Sequence, residues 1–186
     1  MRRIVNSTYI SLDGVIQDPQ DWAGNSIEPD GTGLKLQTDL LFACDAVLMG
    51  GHTYPAFAPA WMARSGDPYS DRINSMTKYV VSSTLRDPEW NNTSVISGDV
   101  IAEIRHLKDQ PGLDIVQYGF GQLSYALLEH GLLDELQLWV HPLFVGQATA
   151  ADLLFRPAAT TQLKLASTLA LNTGTVILTY RVPSSR

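Results

Sequence analysis

The side chains best placed for chemistry in this chain are glycines and hydroxyls at the ends of strand-like runs. Three such places stand out: Gly50-Gly51-His52-Thr53, Ser82-Ser83-Thr84 and Gly119-Phe120-Gly121. The third is the most informative. The β-type run Asp114–Tyr118 breaks at Gly119, and Leu123, Ala126, Leu127 and His130 then recur at helical spacing. A helix that starts on a glycine turn exposes unpaired N–H groups and the positive end of its dipole. Glycine also lets a phosphate approach the backbone. A tight turn in any α/β domain explains a single GxG equally well, and Ser124 stands where the Rossmann fingerprint would need its third glycine. The hydroxyls of Ser82 and Ser83 can likewise cap backbone or bind an anion. Ligands of open α/β sheets bind beyond the carboxyl ends of the strands. Three phosphate-compatible turns in one domain therefore point to a dinucleotide more than any one of them does.

Other chemistries have less support. His52, His106, His130 and His141 show no metal-ligand spacing, and Cys44 falls in an apolar helical stretch, so no metal is expected. The serines lack a nucleophile elbow. Asp13, in an Asp-Gly pair, is a candidate acid, although the same pair also reads as a simple turn.

These turns need elements to position them. Residues 2–12 read as a first strand, with a polar loop from Gln17 to Gly33 that carries Trp22 and could act as a lid or binding loop. Leu34 to Ala43 reads as a helix, Ala46–Met49 as a strand, and Pro55 to Trp61 as irregular chain. A helix within Asp67–Thr77, strands at Lys78–Val81 and Thr93–Ile96, and a helix through Lys108 follow. After the helix that Gly131 caps, the period changes to two. Leu136, Leu138 and Val140 face one side of a strand, and Gln137, Trp139 and His141 the other. Leu163–Leu171 and Thr175–Val182, separated by Asn172-Thr173-Gly174, read as a closing hairpin. The pattern predicts a mixed, mainly parallel sheet covered by helices.

Composition sets the outer bounds. The chain has 186 residues, a length suited to one domain (1–186) with a substantial core. A net charge of −6 and the lack of a basic run argue against a nucleic-acid partner. Cys44 is the one cysteine, which excludes an internal disulfide and fits a reducing cytoplasm. No apolar segment is long enough for a membrane span or a signal peptide.

Four stretches carry a family resemblance: SLDGVI (Ser11–Ile16), VLMGGHTYPAF (Val47–Phe57), KYVVSSTL (Lys78–Leu85) and GFGQLSYALLEHGLLDELQLWVHPLFVG (Gly119–Gly146). In this order and spacing they resemble the dihydrofolate reductase superfamily, and within it the C-terminal reductase domain of bifunctional riboflavin-biosynthesis proteins. The resemblance implies a dihydrofolate reductase-like three-layer α/β/α fold, with about eight strands and a C-terminal hairpin. It also implies NADPH as cofactor, a small-molecule substrate and a homodimer. Carried onto this sequence, it puts Gly50, Gly51, His52 and Thr53 at the cofactor pyrophosphate and Ser82 and Ser83 near the adenosine ribose. Gly119, Phe120, Gly121, Gln122 and Leu123 would lie near the diphosphate, and Thr8, Tyr9 and Ile16 beside the nicotinamide.

Departures from the family pattern bear on function. Gly51 stands where relatives often carry Arg, and Phe120 fills the middle of the glycine turn, narrowing the approach. The helix residue that would supply an acid for folate reduction falls near apolar Leu34. The resulting expectation is an NADPH-dependent reductase of a small heterocyclic or carbonyl substrate, either pterin-related or resembling a 5-amino-6-(5-phosphoribosylamino)uracil reductase. The alternative is a non-catalytic ligand-binding homodimer. The dimer interface is expected around Leu136–Pro142, because the indole of Trp139 on a polar strand face needs cover.

Overall fold

The computed structural model describes residues 1–22 and 31–183. Among these residues the chain forms one eight-stranded sheet in the order β4-β3-β2-β5-β1-β6-β8-β7. The strands are β1 (Ile4–Ser11), β2 (Cys44–Gly50), β3 (Thr77–Val81), β4 (Thr93–Ile96), β5 (Asp114–Tyr118), β6 (Glu135–His141), β7 (Lys164–Ala170) and β8 (Val176–Arg181). From β4 across to β6 every ladder is parallel, and the β7–β8 hairpin adds to β6 in antiparallel fashion. The mixed sheet and closing hairpin agree with the sequence reading. Of the loop expected over 17–33, residues 23–30 lie outside the described residues; Pro19–Asp21 form a single 3-10 turn, and Thr32 and Gly33 already belong to the first helix.

Among the described residues five α-helices make the outer layers: α1 (Thr32–Ala43), α2 (Thr53–Met62), α3 (Pro68–Ser75), α4 (Val100–Asp109) and α5 (Gln122–Glu129). Strand alternation assigns them. Val47 and Met49 of β2 join Val116 and Tyr118 of β5 in a core with Leu41, Tyr54, Ala58, Tyr69 and Ile73, so α1, α2 and α3 cover this face. Ala46 and Leu48 point the other way and pack with Ile115, Ile104, Leu107 and Leu127, so α4 and α5 cover the second face. Burying both faces accounts for the nearly continuous apolar runs of the central strands.

Two local readings change. Residues 53–62 form α2 despite Pro55 and Pro59. Pro55 lies in the first turn, where a missing N–H costs nothing, and Tyr54, Phe57, Ala58 and Trp61 supply an apolar stripe that outweighs the bond lost at Pro59. Cys44 opens β2 and lies outside α1; burial pushes its thiol up to about 12, which makes it unreactive.

The chain leaves β1 and β2 toward α1 and α2 on one face, but leaves β5 toward α5 on the other. Connections that diverge to opposite faces open a crevice at the carboxyl ends of these neighbouring strands.

Candidate active-site cleft

That crevice is a cleft of about 2150 Å³. Pockets for drug-sized ligands measure about 300–1,000 Å³, so the space can take a dinucleotide and a second small molecule together. All fourteen residues proposed at the cofactor line it: Thr8, Tyr9, Ile16, Gly50, Gly51, His52, Thr53, Ser82, Ser83 and the run Gly119–Leu123.

The three turns meet within it. A Cβ on Gly51 would lie 3.0 Å from Ser82 Oγ, and the Gly51 N–H donates to Val81 O at 2.9 Å. Gly51 thus lets the β2 and β3 turns touch, and a long side chain there would displace Ser82. Gly119, at φ +78°, approaches Thr53 so closely that a Cβ would lie 2.5 Å from Thr53 Oγ1. By contrast, a Cβ on Gly50 or Gly121 would meet nothing within 4 Å. These two glycines leave open approach to backbone beside the starts of α2 and α5, the arrangement an anion requires. Ser97 and Ile101, at the start of α4, line the same space.

A buried polar chain fixes the β5 turn. Thr8 Oγ1 donates to Asn6 Oδ1 (2.7 Å), and Asn6 Nδ2 donates to Gln117 Oε1 (3.1 Å) and to Gly119 O (2.9 Å). Gln117 Nε2 donates to Ser124 Oγ (2.8 Å), which receives the Gly121 N–H at 3.4 Å. Asn6, Gln117 and Ser124 are fully buried, so each bond is made where an unpaired group would be costly. Polar residues midway along β-type runs were the sequence signal for this network.

Several expected details differ. Phe120 turns into the core, edge-on to Tyr125 with centroids 5.3 Å apart, and so does not fill the glycine turn. Ser82 Oγ accepts from the N–H groups of Thr84 (3.2 Å) and Leu85 (3.0 Å) and shares a bond with Thr84 Oγ1 (3.4 Å), so of the two uses open to this hydroxyl it caps its own turn. On α1, Leu34 is exposed; Gly33, Gln37 and Leu41 form the buried stripe, and Gln37 is the polar residue facing β1. Asp13 does not line the cleft. Its carboxylate accepts from Ser11 Oγ (2.5 Å), Gly146 N (2.9 Å) and Val145 N (3.2 Å), and these bonds lower its pKa to about 2. A carboxyl held ionised in this way is a turn clamp, unsuited to donate a proton near neutral pH.

Trp139 is only 4% exposed within a single chain. Tyr9, Leu36, Leu171 and Ile177 cover it, and together with His141 it lines the cleft. The reason for placing a dimer interface there therefore lapses: α1 and the β7–β8 turn supply the cover expected from a partner.

Two phenols complete the interior wall. Tyr69 Oη donates to Tyr118 Oη at 3.0 Å, and burial pushes both pKa values upward, so both hydroxyls keep their protons. Among the described residues no group of three metal-ligating side chains occurs, and no helix is long and apolar enough to cross a membrane.

Residues 2–177 match the model of a family described as the RibD C-terminal domain. The chain is 28% identical over 187 residues to "Uncharacterized protein YyaP" of Bacillus subtilis (strain 168), across 96% of this chain and 94% of that protein. Among solved structures, a putative riboflavin biosynthesis protein from Shewanella sp. PV-4 superposes with a TM-score of 0.73 at 20% identity, covering 98% of this chain and 99% of that one. RibD of Acinetobacter baumannii gives 0.65 at 18% identity, over 98% of this chain and 58% of that one. A Thermotoga maritima diaminohydroxyphosphoribosylaminopyrimidine deaminase/5-amino-6-(5-phosphoribosylamino)uracil reductase gives 0.66 at 14%, over 98% and 57%. These likenesses establish the dihydrofolate reductase-like fold.

Proposed function

Because the chain belongs to the RibD C-terminal domain family, we propose that it is an NADPH-dependent reductase of a small heterocyclic or carbonyl substrate, working as a single domain over 1–186. The observation that carries this reading is the meeting of three strand-end turns in one cleft, through the contacts Gly51–Ser82 and Gly119–Thr53. Substrates of the pterin or 5-amino-6-(5-phosphoribosylamino)uracil type fit the proposal, the latter named for the Thermotoga relative.

The residues present fit the cofactor. Open backbone at Gly50 and Gly121 would take its phosphates, Thr53 would donate to them, Ser82 and Ser83 would face the adenosine ribose, and Arg64 and Arg156 at the cleft wall would add positive charge. Bound there, NADPH would supply a hydride. Thr8, Tyr9 and Ile16 would hold the ring that carries it, and the Asn6–Gln117–Ser124 chain would keep the turn rigid. Tyr118 closes β5 beside Gly119, and its neutral hydroxyl, paired with that of Tyr69, would be the proton source for reduction of a C=N bond.

Calorimetric titration with NADPH, NADH and NADP⁺ tests the cofactor. Failure of all three to bind at millimolar concentration would refute the proposal. The second reading, a ligand-binding protein without turnover, is favoured by one fact: the α1 residue facing β1 is an amide, Gln37, and not an acid. NADPH oxidation by any of a panel of pterins, pyrimidines and quinones would remove it.

A homodimer in the cytoplasm remains part of the proposal. The edge strand β7 is exposed along its whole length, with Leu165 50% and Leu169 44% accessible, and such an edge invites a partner strand. A monomer by light scattering at micromolar concentration would rule the dimer out.

A further inference from the structure

We propose that Gln37 and Trp139 form the specificity pair of the cleft. Gln37 Oε1 would accept an N–H from an uncharged planar ring, and Trp139 Nε1–H would donate to a carbonyl or ring nitrogen of the same ligand. Naming that ligand the substrate rests on the reductase reading; the pair itself rests on the geometry that follows.

Both residues line the cleft, and both are more than nine-tenths buried, at 6% and 4% exposure. Among the described residues, neither Gln37 Oε1 nor Trp139 Nε1 has a hydrogen-bond partner. Buried polar side-chain atoms in folded proteins are almost always partnered. An acceptor and a donor that both lack a partner on one cleft wall therefore mark where a complementary ligand belongs.

The other end of Gln37 is already engaged: its Nε2 donates to Ser7 Oγ at 3.2 Å, which leaves the carbonyl end for the ligand. Trp139 is held as firmly. It is in register with Tyr9 of β1, their ring centroids lie 5.6 Å apart, and Leu36, the neighbour of Gln37 on α1, packs on the same cluster. Ser7 and Tyr9 are two residues apart on β1 and so share one face, which puts Gln37 and Trp139 over the same side of the sheet. Tyr9 also contacts His141, at 4.8 Å between centroids, so the wall beside the two polar atoms is aromatic and suited to a flat ring.

Charge decides the chemical class. A carboxylate at position 37 would favour a protonated amidine, because charged hydrogen bonds are about twice as strong as neutral ones. An amide gives no such preference and pairs best with a neutral lactam or imide N–H. A site built around such bonds also rejects analogues that leave its polar atoms unpaired.

Lumazine, a neutral bicyclic lactam, and 2,4-diaminopteridine, an amidine, are suitable probes for calorimetry with the full chain at neutral pH, each with and without NADPH. Wild type should prefer lumazine. Trp139→Phe keeps the ring and removes only the N–H, and Gln37→Leu removes the acceptor; each should weaken lumazine binding at least tenfold and leave NADPH affinity within twofold. Gln37→Glu, of the same shape, should shift the preference toward 2,4-diaminopteridine at least tenfold. Absence of lumazine binding by wild type, equal binding by the variants, or an unchanged preference in Gln37→Glu overturns the pair. If lumazine binds as expected and NADPH does not, the reductase reading fails and this inference stands.

Discussion

Gly119 and Thr53 lie so close that a Cβ on the glycine would be 2.5 Å from the threonine hydroxyl, although one follows β5 and the other begins α2. Gly119 also adopts φ +78°, a left-handed conformation that L side chains rarely accept. Both features count against Gly119→Ala, which should cost about 1–3 kcal/mol from backbone strain, with the clash added. Urea unfolding checks this, and a midpoint equal to wild type would show that the turn relaxes freely.

Gly121 behaves differently. Its φ of −154° is ordinary extended backbone, and a Cβ there would meet nothing within 4 Å. Gly121→Val should therefore fold like wild type while its isopropyl group covers the N–H groups that open α5. NADPH affinity should fall at least tenfold, about 1.4 kcal/mol. Unchanged affinity by titration would move the diphosphate away from this turn.

The strands and turns were legible because their signals are local. Thr93–Ile96 and Asp114–Tyr118 end in the structure where the sequence ends them, since polar or glycine-rich residues close each apolar run. What failed depended on neighbours distant in sequence. The alternation that sets Trp139 opposite Leu136 and Leu138 was read correctly, but nothing local tells which layer covers the indole; α1, about 100 residues earlier, does so. α2 was hidden by its prolines, whose cost is local while the packing of Tyr54 and Trp61 is tertiary. Gln37 did leave a trace, as a polar residue four positions from Gly33 and from Leu41 on one helix stripe.

Asp13 offers a direct test of clamp against acid. Its pKa, lowered from 3.8 to about 2 by Ser11 first and then by the Gly146 amide, means that the folded state favours the carboxylate. The resulting stabilisation is complete above the unfolded pKa and is lost as pH falls through about 2. Asp13→Asn should lower the melting temperature at pH 7 and flatten the acid limb of the stability profile. Turnover should stay within twofold of wild type. A tenfold loss of turnover with an unchanged melting temperature would make Asp13 the proton donor instead.

At alkaline pH a buried lysine and a buried pair of tyrosines act in opposite directions. Lys78 is fully buried, with Nζ donating to Asn74 O (2.6 Å) and Asn91 O (3.1 Å) and lying 4.5 Å from the centroid of the Trp90 ring. Burial lowers its pKa from 10.5 to about 8. Between those values the unfolded chain binds the extra proton, so stability rises with pH; the penalty of burying the charge is complete below about 8 and is relieved on the way to 10.5. Tyr69 and Tyr118 do the reverse. Their pKa values are raised above 10 by burial, so the unfolded chain loses phenolic protons first and stability falls above pH 10. Urea unfolding of the wild type should therefore give a stability that rises from about pH 8 to a maximum at about pH 10. Lys78→Met should abolish the rise below that maximum, and Tyr69→Phe should soften the fall beyond it. A wild-type profile that declines steadily from pH 8 would show that the two carbonyls and the Trp90 ring keep Lys78 charged in the folded protein.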